Sequence, residues 1–455
     1  MPGAALRHLK EKLAHYSAFF DKIATPTLPK EIAWRLLSAC GPARWNYWAR
    51  THAPEEAMEC HAAFDEMVFK TFKKIAGIDG EVSQDTRLLT HLPQRDGGLG
   101  LQRYEFIGPI AYESSVETNP DEPDQETRTA EFNMKQVVPK LSEAATRHIE
   151  NTSRRFASLW LSSYVPNRMG YAFGFALQHR VRFFGSKSST QRCDGCNVEL
   201  RHDQFDGHTL GCARRRGPAP SHRSARVVAQ IANILRDQGL DVAQEVSITP
   251  DLRMDLVVYT RNGTQSWIDV TVFTTEGIST GRRTRDQNEN RADTDKKRKY
   301  AEEALRQEAT YETLAFDVHG SLSQKGVSVI KRLASQAEIT STELLRPTTH
   351  ALQLANGEII ANARAAKDNK LRQKMCPLAP LRAAAPEYRQ RDPDDEIEDA
   401  IAHERREQQL LSSAGAVLIP GDELDSDDYV LPRLRVAFPS LPSWRPAAWR
   451  QTALA

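Results

Sequence analysis

The chain has 455 residues, of which 40% are hydrophobic and 27% charged, and its formal net charge is +1. This length leaves room for two or three domains, and the near-neutral charge excludes a uniformly basic nucleic-acid-coating protein. Because the sequence has no run of eighteen apolar residues and no charged-then-apolar N-terminus, we expect neither a membrane span nor a secretory signal.

The first half is predicted to be mostly α-helical. Apolar residues recur at spacings of three, four and seven, which is the period of a helix buried on one face. Helices are predicted over 4–23, 29–77, 133–150 and 153–165. The second of these is broken at Gly41 and near Pro54, and Leu92–Leu101, with three glycines between leucines, predicts a tight turn. We therefore expect a helical region over 1–115 and a helical connector over 128–190.

Cysteine and histidine spacing predicts a metal site directly after this helical half. Four residues form the pattern C-x2-C-x11-H-x3-C: Cys193, Cys196, His208 and Cys212. A C-x2-C pair converges on one metal, and H-x3-C places the second pair on one face of a helical turn. The pattern predicts a CCHC zinc knuckle over 191–216, with His202 as the alternative fourth ligand. Four protein ligands leave no open position, so the predicted zinc is structural.

The remaining cysteines and the local charges bear on the compartment and the partner. The other cysteines are expected to be buried or free thiols: Cys40, Cys60 and Cys376. Metal-spaced thiols favour a reducing compartment, cytosol or nucleus. Residues 179–226 carry ten Lys and Arg against four Asp and Glu, whereas 392–428 is strongly acidic. A basic segment around the predicted knuckle suits contact with nucleic-acid phosphates, although a solvated surface is the alternative.

The second half is predicted to be an α/β sandwich around a small mixed sheet. Alternation and turn signals predict four strands, at Leu240–Ile248, Met254–Thr260, Ser266–Phe273 and Glu312–Val318. Helices are predicted over Ser221–Arg236, 288–309 and Ser323–Gln336. The fold class is therefore α+β overall, with an α/β domain over 220–340. Residues 341–455, rich in Ala, Pro and acidic residues, are expected to be a low-order tail.

Two acids inside apolar strands mark a candidate catalytic centre. Asp255 lies within Met254–Tyr259, and Asp269 interrupts the strand Ser266–Phe273. A buried carboxylate is costly unless something compensates its charge, and a divalent cation is a natural compensation. Mg²⁺ prefers one or two carboxylates together with water and phosphate oxygens. Because a short hairpin joins the two strands, we predict that both acids hold one Mg²⁺, with Glu245 as a possible third acid.

A lysine from the following helix completes the predicted centre. The basic run after Asp295 offers several candidates, and helical spacing favours Lys296, four residues from both Ala292 and Tyr300. Lys299 lies about one turn further along, and Lys297 is the remaining alternative. A lysine near the metal would orient water and offset developing negative charge.

The motifs occur in an order that resembles one known class of protein. The zinc-type cluster, a helix opening at His222-Arg223, the three acids, Asp269-Val270-Thr271-Val272 and Ala292-x3-Lys296-x2-Lys299-Tyr300 resemble the C-terminal part of non-LTR retrotransposon proteins. More narrowly, they resemble the site-specific class that carries a restriction-like endonuclease of the PD-(D/E)xK type. The stretch from Leu36 to Tyr47 and the glycine-rich stretch from Leu92 to Gly100 resemble the thumb and linker after the polymerase core.

The resemblance implies a DNA endonuclease that nicks target DNA, so that the exposed 3′ end primes reverse transcription of element RNA. Asp255 and Asp269 would then hold the metal and Lys296 would be the catalytic lysine, in the nucleus, with DNA and element RNA as partners. Met254 stands where the family has proline, and Thr271 occupies its lysine position. The sequence has no Tyr/Phe-x-Asp-Asp motif, so we expect the polymerase core to be absent. A catalytically dead nucleic-acid-binding remnant is the alternative, and a host protein-contact module is a third reading.

Overall fold

The protein is mixed α/β and mostly helical. The computed structural model describes residues 4–117, 119, 121–163, 170–184, 190–212, 214, 220–260, 263–275, 285–365, 417–419 and 435–437. Two compact units divide the chain, Met1–Pro377 and Leu378–Ala455. The first unit contains the helical half, the Cys/His segment and the sheet.

Nine helices within the described part of residues 4–180 build the helical half. Their bounds are α1 Ala4–Ile23, α2 Lys30–Cys40, α3 Ala43–Thr51, α4 Pro54–Ala76, α5 Gln84–His91, α6 Tyr104–Val116, α7 Gln125–Phe132, α8 Glu143–Thr152 and α9 Gly170–Arg180. The predicted breaks at Gly41 and Pro54 are confirmed. The helix predicted over 153–165 is wrong, because Phe156 has a positive φ of 73° and only a short 3-10 turn, Leu159–Ser162, follows.

The glycine-rich stretch Leu92–Leu101 is a tight turn, as predicted. Gly97 and Gly100 have φ values of 92° and 76°, and a Cβ on Gly98 would lie 2.1 Å from the Leu92 carbonyl oxygen. Only glycine fits such a close backbone approach. The turn leads into α6, whose Tyr104 amide donates to the buried Asp65 carboxylate at 2.8 Å.

The Cys/His segment and the sheet domain follow α9. Their elements are β1 Thr190–Arg192, β2 Glu199–Arg201, α10 His202–Gly211, α11 Pro220–Asp237, β3 Asp241–Thr249, β4 Leu252–Tyr259, β5 Gln265–Phe273, α12 Arg285–Arg306, β6 Thr310–Asp317 and α13 Gln324–Gln336. The four-stranded sheet has the order β3-β4-β5-β6. The first three strands are antiparallel neighbours, whereas β5 and β6 are parallel and joined through α12. The predicted order α-β-β-β-α-β-α is confirmed.

The two faces of this sheet have different cores. Apolar residues of α11 and α13 pack on the face that carries Leu256, Val258 and Ile268. On the opposite face, Val257 and Trp267 pack against Tyr300 and Ala304 of α12. Because side chains alternate along a strand, Asp255 and Asp269 share the face of α12.

The low-order tail predicted from residue 341 is wrong over its first part. Ser341–Ala365 forms a 25-residue helix, α14, with most of its residues buried. Helices α9 and α14 approach so closely that a Cβ on Gly357 would lie 1.9 Å from the Ala172 carbonyl oxygen. The small residues of α14 and its internal proline, Pro347, gave no clear helical periodicity in the sequence, although small residues such as Gly357 allow its close packing.

The rest of the predicted tail lies largely outside the described residues. Within it, β7 Val417–Ile419 and β8 Arg435–Ala437 pair as antiparallel strands. Across the described ranges, none of the helices has the length and apolar character needed to span a bilayer.

Candidate metal centre and active site

The four predicted metal ligands converge at the junction of the β1–β2 hairpin and α10. The Sγ atoms of Cys193 and Cys212 lie 3.6 Å apart, and the Cys196 Sγ lies 3.2 Å from the His208 Nε2. All four ligand atoms are within 4.8 Å of one another. Zinc–sulfur bonds of about 2.3 Å set tetrahedral sulfur–sulfur edges near ~3.8 Å, so the spacing fits one such ion.

The chemistry of these donors also fits a bound cation. Burial raises the pKa of Cys212 to about 11, so its thiol stays protonated at neutral pH unless a positive charge is bound nearby. The group can hold a metal and is consistent with zinc. The fourth ligand atom in this group belongs to His208, whereas the side chain of His202, the alternative, lies outside the described residues.

Two buried arginines connect the Cys/His module to the rest of its unit. Arg223, at the start of α11, is 2% exposed and donates to the carbonyl oxygens of Leu210 and Val272, each at 3.2 Å. Arg364 of α14 bonds the Asp206 carboxylate of α10 at 2.5 Å. The metal centre is thereby joined to β5, three residues after Asp269.

The two predicted strand acids lie where β4 and β5 cease to pair. Their ladder ends at the pair Leu256–Ile268, one residue before Asp255 and Asp269 would face each other. In place of a ladder bond, the Val270 amide donates to the Asp255 Oδ2 at 2.8 Å. The strands therefore separate at the two acids, and both carboxylates face α12.

Lys296 is the lysine that the structure brings to these acids. Its Nζ donates to the Asp269 Oδ1 at 2.9 Å, from a side chain that is 38% exposed. The Asp269 side chain itself is only 1% exposed. Burial alone would lower the pKa of Lys296, but the Asp269 carboxylate outweighs burial and raises it. Lys296 is therefore a fixed cation at neutral pH and cannot act as a general base.

The other predicted catalytic residues stand apart from this pair. Lys299 and Lys297 are exposed, and the Lys299 Nζ lies 4.9 Å from the centre of the Tyr300 ring. The structure therefore brings Lys296, and not Lys299, to Asp269, because α12 turns Tyr300 toward the sheet and leaves Lys299 on its exposed side. Glu245 interrupts β3 with a φ of 53° and pairs with Arg253 at 2.7 Å, yet it is close enough to raise the pKa of Asp255.

The electrostatics at the acids leave a place for a cation. Burial, together with the neighbouring Asp269, raises the pKa of Asp255 to about 6. The Asp269 Oδ2 is buried and has no hydrogen-bond partner among the described residues. A buried carboxylate oxygen without a described hydrogen-bond partner, next to a second carboxylate with a raised pKa, suits a pair of Mg²⁺ ligands. Within the described part of the chain, however, the sole group of three or more ligand atoms within 4.8 Å is the Cys/His group.

Comparison with known proteins does not assign the chain to a family. No protein-family model matches it, and no curated protein matches it. A functional proposal for this chain therefore rests on the geometry of its residues.

Two tyrosines shape the lysine site: sequence reasoning used Tyr300 only to place Lys296, and it missed Tyr311. Tyr300 lies under both Lys296 and Lys299, and its ring stacks on Tyr311 at 5.5 Å between centroids. The Tyr311 hydroxyl bonds the Thr313 hydroxyl at 3.1 Å, and Thr313 is the register partner of Asp269 on β6. Helical spacing from Lys296 to Tyr300 was the available signal, whereas Tyr311 required the parallel pairing of β5 with β6.

The raised pKa of Asp255 predicts a pH-dependent stability. Between about pH 4 and pH 6 the folded chain holds a proton that the unfolded chain has lost, so this stabilisation is complete below about pH 4 and is lost as pH rises through about 6. Asp255→Asn should therefore raise the free energy of unfolding at pH 7.5 by about 1–2 kcal/mol, after discounting for partial exposure. It should also flatten the pH profile between 4 and 6.

Urea unfolding at several pH values, without added divalent metal, measures this effect. The control is Asp251→Asn, at an exposed turn residue of the same β3–β4 hairpin. If the stability of Asp255→Asn changes with pH in parallel with that of the wild type, the pKa of Asp255 is not raised in the folded chain.

Proposed function

We propose that this chain is a metal-dependent DNA endonuclease, the endonuclease portion of a retrotransposon-derived protein that nicks target DNA to prime reverse transcription. The observation that carries the proposal is the Lys296–Asp269 pair, 2.9 Å apart, beside Asp255 on the adjoining strand. Two carboxylates and a fixed cation at the point where two strands separate are the parts that phosphodiester hydrolysis requires.

The architecture around these residues supports the proposal. A helix, three antiparallel strands, a crossover helix and a parallel fourth strand are the arrangement implied by the resemblance to PD-(D/E)xK nucleases. In this arrangement the lysine comes from α12 instead of from β5, where Thr271 stands. The 2.9 Å contact between the Lys296 Nζ and the Asp269 carboxylate supports this role for a lysine on α12.

Each residue of the proposed endonuclease centre has a separate role. Asp255 and Asp269 would bind Mg²⁺, which, when bound, supplies an activated water and polarises a phosphate oxygen. The Lys296 ammonium, held by Asp269, would stabilise the negative charge that develops on a phosphate bound at the two acids. The Lys296 Nζ lies 5.9 Å from the centre of the Tyr300 ring, which adds a cation–π contact to the ion pair. The zinc-type module and the basic segment around it would hold DNA, and element RNA where it is present, in the nucleus.

A supercoiled-plasmid nicking assay with the full chain tests the proposal. We expect conversion to open circles with Mg²⁺ and none with Ca²⁺, because Ca²⁺ adopts a looser oxygen coordination with longer bonds. Plasmid that stays supercoiled at every Mg²⁺ and Mn²⁺ concentration would contradict the nuclease function.

One observation favours a second function, that of a nucleic-acid-binding remnant without activity. Met254 and Thr271 depart from the nuclease motif, and the acids do not form a three-ligand group. A remnant would still bind DNA through its basic segment, with an affinity that falls steeply with salt. Salt-dependent gel shifts without nicking would select this alternative, and a lack of affinity at low salt would point to a protein-contact module.

A further inference from the structure

A group of aromatic and basic side chains lies on the surface of α1 and α3, in the helical half. We name it the aromatic platform and define it by Tyr47, Trp48, His52, His8 and Lys12. The Trp48 ring is its centre, with ring centroids of Tyr47 at 4.9 Å, His8 at 5.2 Å and His52 at 5.7 Å. The Lys12 ammonium lies 5.6 Å from the Trp48 centroid.

The platform is both exposed and held in place. Tyr47 is 62% exposed, which is unusual for a large aromatic side chain next to a tryptophan. Trp48 is fixed beneath it, because its indole N–H donates to the Tyr16 hydroxyl at 3.0 Å. An exposed ring on a rigid support loses little conformational entropy when a flat ligand stacks on it.

The charges of the platform favour an anionic partner. Helix α3 has two arginines, Arg44 and Arg50, and no acid. On α1, Arg7 and Lys12 flank the acid Glu11, and Lys10 between them pairs with Glu59 of α4. A flat aromatic surface bordered by cations matches nucleic acid, whose bases stack and whose phosphates are negative.

Stacking on Tyr47 requires an unpaired base, because paired bases present only their edges to the grooves. We propose that the aromatic platform binds single-stranded nucleic acid, with a base stacked on Tyr47 and phosphates near Lys12 and Arg50. This binding site belongs to the helical half and uses none of the residues assigned to the endonuclease centre. The test of binding is therefore independent of the test of nicking.

Fluorescence anisotropy with a short labelled oligothymidine tests the platform, using the full chain without added divalent metal so that no cleavage occurs. Stacking on an aromatic side chain contributes about 1–3 kcal/mol per base, so Tyr47→Ala should weaken binding by about fivefold or more. Tyr47→Phe keeps the ring and should bind within about twofold of the wild type. The control is Met134→Ala, which truncates another exposed apolar side chain, 59% exposed and in a different segment of the helical half.

Three results would overturn the inference. The first is a Tyr47→Ala chain that binds oligothymidine as tightly as the wild type. The second is an equal loss of affinity of Tyr47→Ala for a duplex of the same length, which would indicate that Tyr47 does not act by stacking on an unpaired base. The third is a wild-type chain that ignores oligothymidine but binds phosphatidylserine vesicles through Tyr47, which would assign the platform to a membrane surface.

Discussion

Asp269→Asn should reduce plasmid nicking by about a hundredfold to a thousandfold while leaving the chain folded. Removing one preorganised electrostatic group from an active site commonly costs this much in rate. Asparagine preserves the shape of Asp269 but removes the charge that anchors Lys296 and would bind the metal. Because the Lys296 side chain is 38% exposed, water can solvate its ammonium, and the free energy of unfolding should change by less than about 1 kcal/mol.

Lys296→Met should lose nicking to a similar extent but at a larger cost in stability. This variant leaves the Asp269 carboxylate, 1% exposed, without its cation. An uncompensated charge in a fully buried pair costs about 3–5 kcal/mol, and the partial exposure of Lys296 reduces the expected loss to roughly 1–3 kcal/mol. The double variant should recover that stability and remain inactive, because it removes both charges together.

The matched control is Lys299→Met, on the same helix and against the same Tyr300 ring. Its exposed ammonium contacts neither acid, so nicking and unfolding should stay near the wild-type values. Nicking rates and urea unfolding of the wild type, Asp269→Asn, Lys296→Met and the double variant form a complete cycle, and Lys299→Met is measured beside it. Equal losses of activity in Lys299→Met and Lys296→Met would show that general basicity of α12, and not the Asp269 contact, supports the reaction.

Local spacing predicted the acids and the lysine because each signal was contained in one element. Asp255 and Asp269 interrupt apolar strands, which is visible within eight residues, and helical spacing alone oriented Lys296 toward the sheet. The same spacing left Lys299 open as an alternative. Its exclusion depends on which residues of α12 face the sheet, which is a tertiary property.

Long-range packing explains what the sequence concealed. Helix α14 is stabilised by contacts such as that of Gly357 with Ala172, 185 residues apart by number, so its small residues were read as a sign of low order. The role of Arg223 is likewise visible only in the folded chain, where its guanidinium donates hydrogen bonds to groups of α10, β5 and α14. The left-handed φ of Glu245, which interrupts β3, has no sequence signature for a glutamate.

Removal of the metal from the Cys/His module should unfold residues 190–212 and lower the stability of the whole unit by several kcal/mol. The module has little core of its own, since its buried cluster consists of the ligands Cys193 and Cys212 with Leu200, Phe205 and the α14 residue Ala363. A structural zinc ion contributes apparent free energies of about 10–16 kcal/mol in isolated fingers, which a few apolar contacts cannot replace.

The loss should extend to the candidate active site through Arg223. Its guanidinium binds the last turn of α10 at Leu210 and the end of β5 at Val272. When α10 unfolds, this buried cation loses one of its acceptors, and the end of β5 becomes freer to move. Burial already lowers the pKa of Arg223 to about 10, so each remaining acceptor matters. Amide exchange should therefore rise first in 190–212 and then around Val272.

Metal analysis and hydrogen exchange on ligand variants separate the possible outcomes. We expect one zinc ion per chain in the wild type and none in His208→Ala or Cys196→Ser, and both variants should show the exchange pattern of the chelated wild type, with no further change on chelation. His202→Ala should keep the zinc, because the four atoms that converge within 4.8 Å include His208. If His202→Ala loses the metal and His208→Ala retains it, the ligand set is wrong. If chelation leaves the exchange of 190–212 unchanged, the module folds without a metal, and the link from α10 through Arg223 to β5 has no metal dependence.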